Sequence, residues 1–138
     1  MRTKLGAFLV GVSLIWLGRP LVAHHSFSSE YDEKKPVTIS GTVSKVEWTN
    51  PHVRIYVDET NASGKVTTWN MELATPSALT RNGWTSRSLK TGDKVTIKGF
   101  AAKTDIPRAS AGAVTLADGR SLFAGAAPGA DPGAAPVQ

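Results

Sequence analysis

Hydrophobic and polar residues alternate with a period of two over much of the chain, and this period predicts β-strands. The alternation is clearest in HVRIYVDE, residues 52–59, where three β-branched residues alternate with polar or aromatic ones. In VTISGTVSKVEW, residues 37–48, the apolar positions change side between Gly41 and Lys45, as they do at a β-bulge. We therefore predict a bulged first strand and a half-buried second strand.

Further along the chain, the pattern predicts one helix and three more strands. KVTTWNMEL, residues 65–73, follows a turn and should form a hairpin with the second strand. Thr75 is suited to be an N-cap with proline at the first helical position, which predicts a short helix over Pro76–Arg81. A fourth strand is predicted over residues 94–100, and a fifth over residues 113–123 with a hairpin signal inside it.

These elements indicate a mainly β protein. Five short strands with a bulge in the first, and one short helix between strands 3 and 4, are typical of a small five-stranded OB-like barrel. An open sandwich of five or six strands is the alternative.

The hydropathy pattern also divides the chain into four segments. Residues 1–23 have basic residues, an apolar run and a small residue, Ala23, at the end, which is the layout of a cleaved secretory signal peptide. Residues 24–35 are predicted to be a polar N-terminal arm, and residues 36–123 the barrel domain. The Ala/Gly/Pro-rich residues 124–138 are predicted to be disordered.

Charge and composition exclude several classes of function. The net charge is +5, but removal of the signal peptide leaves 13 basic and 11 acidic residues, so a nucleic-acid partner is not expected. The chain contains no cysteine, which excludes disulfides and thiolate metal sites. We expect a periplasmic or secreted protein without stable membrane insertion after signal cleavage, because the apolar run is too short to span a bilayer.

Several blocks carry a resemblance to a known family, among them AHHSFSSEYD, GTVSKVEWTNPHVRIYVD and LATPSALTRNGW. Over residues 23–125 the chain resembles a bacterial family of small exported proteins classed as a domain of unknown function. GTVSKVEW and GDKVTIKGF are also similar to strands of periplasmic OB-fold proteins. The resemblance implies an exported bacterial β domain and brings no assigned activity.

The three histidines are the candidates for site chemistry. Cleavage after Ala23 would make His24 the first residue, so that its α-amine and its ring Nδ1 could chelate one metal ion. An imidazole from His52 or His25 would complete a three-nitrogen set, which favours Cu(II). The alternative is that His24 and His25 belong to a solvated arm and that His52 is an ordinary surface histidine.

A second hypothesis assigns the same region a metal-free function. Trp48, Asn50, Arg54 and Tyr56 are predicted to form a surface for a small ligand or an unidentified periplasmic protein. The positive charge of Arg54 beside His52 argues against a metal there. Haem handling has less support, because it would call for a histidine in the C-terminal tail, and the tail has none.

Catalytic motifs give no support for an enzyme. The chain has no nucleophile elbow, phosphate-binding loop or zinc-binding helix motif. Asp58, Glu59 and Glu72 lie on predicted strands and are expected to be solvated. The sequence therefore predicts a binding module without enzymatic activity of its own.

Overall fold

The structure is a computed structural model in which residues 27–125 are described. The predicted signal peptide and most of the predicted tail lie outside these residues. In chain order the elements are α1 (Phe27–Glu30), β1 (Tyr31–Glu47), β2 (Arg54–Thr60), β3 (Val66–Glu72), α2 (Pro76–Arg81), β4 (Lys94–Ala102), β5 (Arg108–Leu116) and β6 (Ser121–Phe123). The protein is mainly β, with α2 between the third and fourth strands, as predicted.

The strands form one sheet that closes on itself. They pair in the order β3-β2-β1-β4-β5-β6, and β3 also pairs in parallel with β5 at Asn70, Met71 and Glu72. Five strands therefore form a closed, barrel-like ring, which is incompatible with the open sandwich. The sixth strand, β6, is the return strand of the predicted hairpin, whose turn contains Gly119 with a positive φ of 87°. The more specific likeness to OB-folds stays a prediction.

The bulge predicted in the first strand is confirmed. The pairing of β1 with β2 shifts register between Val43 and Lys45. Val43 is fully buried before the shift, and Val46 and Trp48 pack against the core after it. The bulge thus lets one long strand keep apolar residues on the inside while it bends from one neighbour to the other.

The interior of the ring is filled by alternate residues of the strands, as period-two patterning requires. Its fully buried side chains include Val43, Val53, Ile55, Val57, Met71, Leu73, Leu79, Ile97 and Val114. Leu79 comes from α2, and the helix begins as predicted because the Thr75 side chain accepts a hydrogen bond from the Ala78 amide at 3.2 Å. Trp84, after the helix, is buried and donates from Nε1 to the Phe123 carbonyl at 2.8 Å.

Two segment boundaries differ from those expected. The barrel begins before Pro36, because β1 starts at Tyr31, which pairs with Ala102 of β4. The sequence did not predict this start, because residues 32–35 are polar, largely exposed and without apolar alternation. At the other end, Ala124 was expected to be disordered, but it is fully buried and its carbonyl accepts from the Ala74 amide at 2.7 Å.

Candidate functional site

His52 is held in a defined orientation at the end of the β2–β3 hairpin. Its ring is half-buried, and Nδ1 lies 3.0 Å from the Leu73 carbonyl oxygen. A carbonyl can only accept a hydrogen bond, so Nδ1 carries the proton and donates it. In the neutral ring the lone pair is then on Nε2, which is the nitrogen left for a ligand.

The backbone around His52 is fixed by the neighbouring strand. The Val53 amide donates to the Ala74 carbonyl at 3.1 Å, and the Leu73 amide donates to the Val53 carbonyl at 2.8 Å. These two hydrogen bonds join the backbone segments that carry His52 and Leu73. The Nδ1 hydrogen bond therefore forms between two fixed parts of the backbone. Such a bond from the second ring nitrogen is typical of metal-binding histidines.

Arg54 does not present a free positive charge beside His52. Its guanidinium pairs with Glu72 at 2.8 Å and donates to the Asn70 side-chain oxygen at 3.3 Å. The Glu72 side chain is only 13% exposed, so the expectation that this carboxylate is solvated is wrong. Pairing with Glu72 balances the charge that counted against a cation near His52.

Tyr56, another residue predicted for a ligand surface, lies near Glu47, the residue opposite Arg54 in the β1–β2 pairing. The Tyr56 hydroxyl donates to Glu47 at 3.2 Å, and Glu47 also pairs with Lys45 at 2.5 Å. The hydrogen bond from Lys45 lowers the pKa of the Glu47 carboxyl. Four residues of extended chain, about 13 Å, separate Tyr56 from His52.

Trp48 and Asn50 lie in the connection between β1 and β2. Trp48 is half-buried and packs against the core, whereas Asn50 is exposed and precedes a cis bond to Pro51. Trp48 therefore contributes in part to packing, whereas the Asn50 side chain is accessible to solvent.

Asp58 and Glu59, which were also expected to be solvated, have hydrogen-bond partners and are half-buried. Asp58 accepts from the Thr68 hydroxyl at 2.6 Å, and Glu59 accepts from Nε1 of Trp69 at 2.9 Å. Asp58 also accepts from the Ser44 hydroxyl of β1 at 3.4 Å, so both carboxylates are engaged in hydrogen bonds within the sheet.

A half-buried polar cluster that sequence reasoning missed lies where β3 meets β5. We call it the Tyr31 network, and its members are Glu30, Tyr31, Arg54, Glu72 and Arg108. Arg108 forms an ion pair with Glu30, donates from Nε to the Tyr31 hydroxyl at 3.2 Å, and stacks over the Tyr31 ring with 5.3 Å to its centroid. The only signal in the sequence was one aromatic residue, Tyr31, in an otherwise polar run.

The surroundings shift the pKa of two members of this network, Tyr31 and Arg108. The pKa of Tyr31 is raised to about 12, first by burial and then by the negative charge of Glu72. Burial lowers the pKa of Arg108, but the hydrogen bond to Tyr31 and the carboxylates of Glu30 and Glu72 outweigh it, so that the pKa is raised overall. Tyr31 is therefore a neutral hydrogen-bonding group, and Arg108 a permanent cation, at physiological pH.

His24 and His25 lie outside the described residues, so the structure does not place them. Phe27, the first described residue, follows His24 by three positions. Within residues 27–125, no three His, Asp or Glu side chains are grouped so that they could hold a metal ion. A complete metal site that includes His52 would therefore need ligands from elsewhere.

Comparison with known proteins assigns the chain to a family. The model of a family of unknown function (DUF6152) matches residues 13–109, and the chain belongs to this family. No curated protein and no solved structure gives a significant match. In the part of the chain that the structure describes, no helix has the length and apolar character needed to cross a bilayer.

Proposed function

We propose that the protein is an exported bacterial binding module, without catalytic activity, that holds one Cu(II) ion between His24 and His52. The observation that carries the proposal is the hydrogen bond from Nδ1 of His52 to the Leu73 carbonyl, which leaves Nε2 as the free ring nitrogen. The bond fixes both the tautomer and the direction of the ring, and these are the two properties that a ligand histidine needs.

The other ligand atoms would come from the new N-terminus. Cleavage after Ala23 gives His24 a free α-amine whose ordinary pKa is about 8, so a metal ion can displace its proton near neutral pH. The amine and Nδ1 of the same residue close a chelate ring on the ion. With Nε2 of His52 they form a three-nitrogen set, for which Cu(II) has the highest affinity among the divalent first-row metals.

The position of α1 supports this arrangement. Phe27 contacts the Tyr31 ring, with 5.4 Å between centroids. Tyr31 lies beside Glu72, which pairs with Arg54, and Arg54 follows His52 by two residues. His24 precedes Phe27 by three residues, and three extended residues reach about 10 Å. His25 is the assisting residue, as a further imidazole or as a hydrogen-bonding neighbour.

The metal-free alternative has less support. A ligand surface made of Trp48, Asn50, Arg54 and Tyr56 would need free polar groups, but Arg54 is paired with Glu72 and Tyr56 with Glu47. A periplasmic protein that supplies or receives the ion is the partner that the copper proposal implies.

The proposal is tested with exported protein whose mass shows that it begins at His24. Its affinity for Cu(II) is measured by competition with a chelator and compared with that of a protein carrying one extra alanine ahead of His24, and with that of His52→Ala. We expect both changes to weaken binding by at least about 100-fold, since each removes a ligand. Arg120→Ala, far from the site in the β5–β6 turn, is the control and should bind as wild type. Equal affinities of all four proteins would overturn the proposal.

A further inference from the structure

The edge of β3 that faces β5 is open over the first half of the strand. In the described part of the chain, β3 pairs with β5 only at residues 70–72, whereas β2 pairs with the whole of β3. The Asn70 amide donates to the Pro107 carbonyl at 2.9 Å, on the side of β5. Amides of alternate residues in a strand point to the same edge, so those of Val66 and Thr68 point there as well. The backbone groups of these two residues therefore meet no neighbouring strand of the described chain.

Pro107 explains why the pairing with β5 stops. If the parallel ladder continued, the residue at position 107 would donate its amide to the Thr68 carbonyl, but proline has no N–H. The Arg108 amide also donates to the Ile106 carbonyl at 2.8 Å, so the chain turns at Pro107 and does not continue beside β3. A proline directly before β5 therefore leaves the edge of β3 open.

The open edge lacks the features that usually prevent strand pairing. Residues 66–69, Val-Thr-Thr-Trp, contain no charged residue and no proline, and all four residue types favour β-structure. Val66 is 53% exposed, and Ile106, in the turn beside this edge, is 54% exposed. Among residues 27–125 these are the two large apolar side chains that are exposed. An uncharged, apolar edge of this kind is suited to the addition of a further strand.

Backbone geometry fixes how a second β3 could pair with this edge. In an antiparallel pair, residues that both face the partner lie opposite each other, so Val66 of one copy should lie opposite Thr68 of the other. The neighbouring registers would place Asn70 or Gly64 opposite an open residue, and both of these amides already donate to carbonyls of their own chain. The favoured register hydrogen-bonds both open residues of each copy, with the two-fold axis at Thr67.

The charges beside the open edge are complementary in this register. Lys65, which is exposed, lies opposite Trp69 of the second copy. The Trp69 indole donates to one oxygen of Glu59 at 2.9 Å, and a carboxylate has a second oxygen that can accept from an ammonium group. The two-fold axis repeats the contact between Lys65 and Glu59 on the other side. This complementarity favours a second copy of the chain as the occupant of the edge.

We propose that the protein forms a symmetric dimer in which β3 of each copy adds, in antiparallel orientation, to the open edge of β3 of the other. The pairing joins the sheets of the two barrels and packs Val66 of each copy against Thr68 of the other, with Ile106 flanking the added strand. This inference does not depend on the copper proposal.

Sedimentation equilibrium of the exported protein over a range of concentrations measures the association, with a chelator present so that no metal ion can bridge two copies. We expect the average mass to rise toward that of a dimer as the concentration increases. Val66→Lys places a charge on the edge at an exposed position and should weaken association by about tenfold or more. Ala117→Lys adds the same charge at an exposed position between β5 and β6 and should associate as wild type.

A charge exchange tests the register of the pairing. Lys65→Glu and Glu59→Lys each bring like charges together in a dimer of identical copies, and each should weaken association. When the two variants are mixed in equal amounts, opposite charges meet again in the mixed dimer, and association should recover. Lys98→Glu changes an exposed lysine of β4 and should associate as wild type.

Hydrogen exchange locates the contact within β3. The Val66 and Thr68 amides should exchange rapidly in dilute solution and slowly in concentrated solution, because only the dimer gives them acceptors. The Thr67 and Trp69 amides point toward β2 and should be protected at every concentration.

Several outcomes would overturn the dimer. A monomer at every concentration would do so, and so would a dimer that Val66→Lys leaves unchanged. Protection of the Val66 and Thr68 amides that does not depend on concentration would show that another segment of the same chain covers the edge. A monomer in which these amides become protected only when another exported protein is added would assign the edge to that protein instead. If the mixed variants do not recover association, the proposed register is wrong.

Discussion

Tyr31→Phe removes one hydroxyl from the Tyr31 network and should change how stability depends on alkaline pH. The pKa of Tyr31 is raised from 10.0 to about 12 in the folded protein by burial and by Glu72. Above pH 10 the unfolded chain loses the phenolic proton first, and this favours unfolding. The stabilisation from Tyr31 is therefore complete below pH 10 and is lost as the pH rises from about 10 to about 12.

The size of the effect follows from the shift. Two pKa units correspond to about 3 kcal/mol between the two limits, and about 1.4 kcal/mol of this is lost by pH 11. At pH 8 the phenylalanine variant lacks the hydrogen bond with Arg108 and should be less stable by about 1 kcal/mol. Wild type should therefore be the more stable protein at pH 8, and the two should be nearly equal at pH 11.

Urea unfolding followed by tryptophan fluorescence at pH 8, 9, 10 and 11 measures the difference in the free energy of unfolding. A difference that stays constant over this range would refute the reasoning, because phenylalanine has no proton to lose. A second assay uses Tyr56→Phe, which leaves Tyr31 as the only tyrosine. Phenolate absorbance of this folded variant should titrate with a midpoint of about 12.

Three further substitutions test the packing of the barrel by urea unfolding. Gly99→Ala should destabilise by about 1–3 kcal/mol, because a Cβ there overlaps the Ser110 carbonyl oxygen; an unchanged midpoint would mean that β4 and β5 can separate locally. Leu79→Ala should cost about 2–5 kcal/mol, since the side chain is fully buried at the end of the barrel. Thr75→Ala should cost about 1 kcal/mol through loss of the N-cap, and a loss as large as that of Leu79→Ala would contradict this assignment.

Local patterns in the sequence were enough to predict most of the elements. The helix Pro76–Arg81 has the predicted bounds because the N-cap Thr75 and Gly83, which has a positive φ just after the helix, lie within a stretch of nine residues. The bulge near Val43 is visible because the alternation of apolar residues changes side. Closure through the parallel pairing of β3 with β5 is not visible, since the strands are distant in sequence and the pairing adds no periodicity of its own.

The candidate site was predictable only in part. His52 stands out because the chain has three histidines and the other two are adjacent near a predicted cleavage point. Its hydrogen bond to Leu73 and the pairing of Arg54 with Glu72 depend on the β2–β3 register. The Tyr31 network joins residues from four separate stretches of the chain, and no spacing rule links Tyr31 to Arg108.

The most direct test of the copper proposal is a crystal structure of the mature protein with one equivalent of Cu(II). We expect one ion bound by the α-amine and Nδ1 of His24 and by Nε2 of His52, with Nδ1 of His52 still donating to the Leu73 carbonyl. Copper bound to other residues, or a terminal histidine that does not reach His52 when copper is present, would contradict the proposed function.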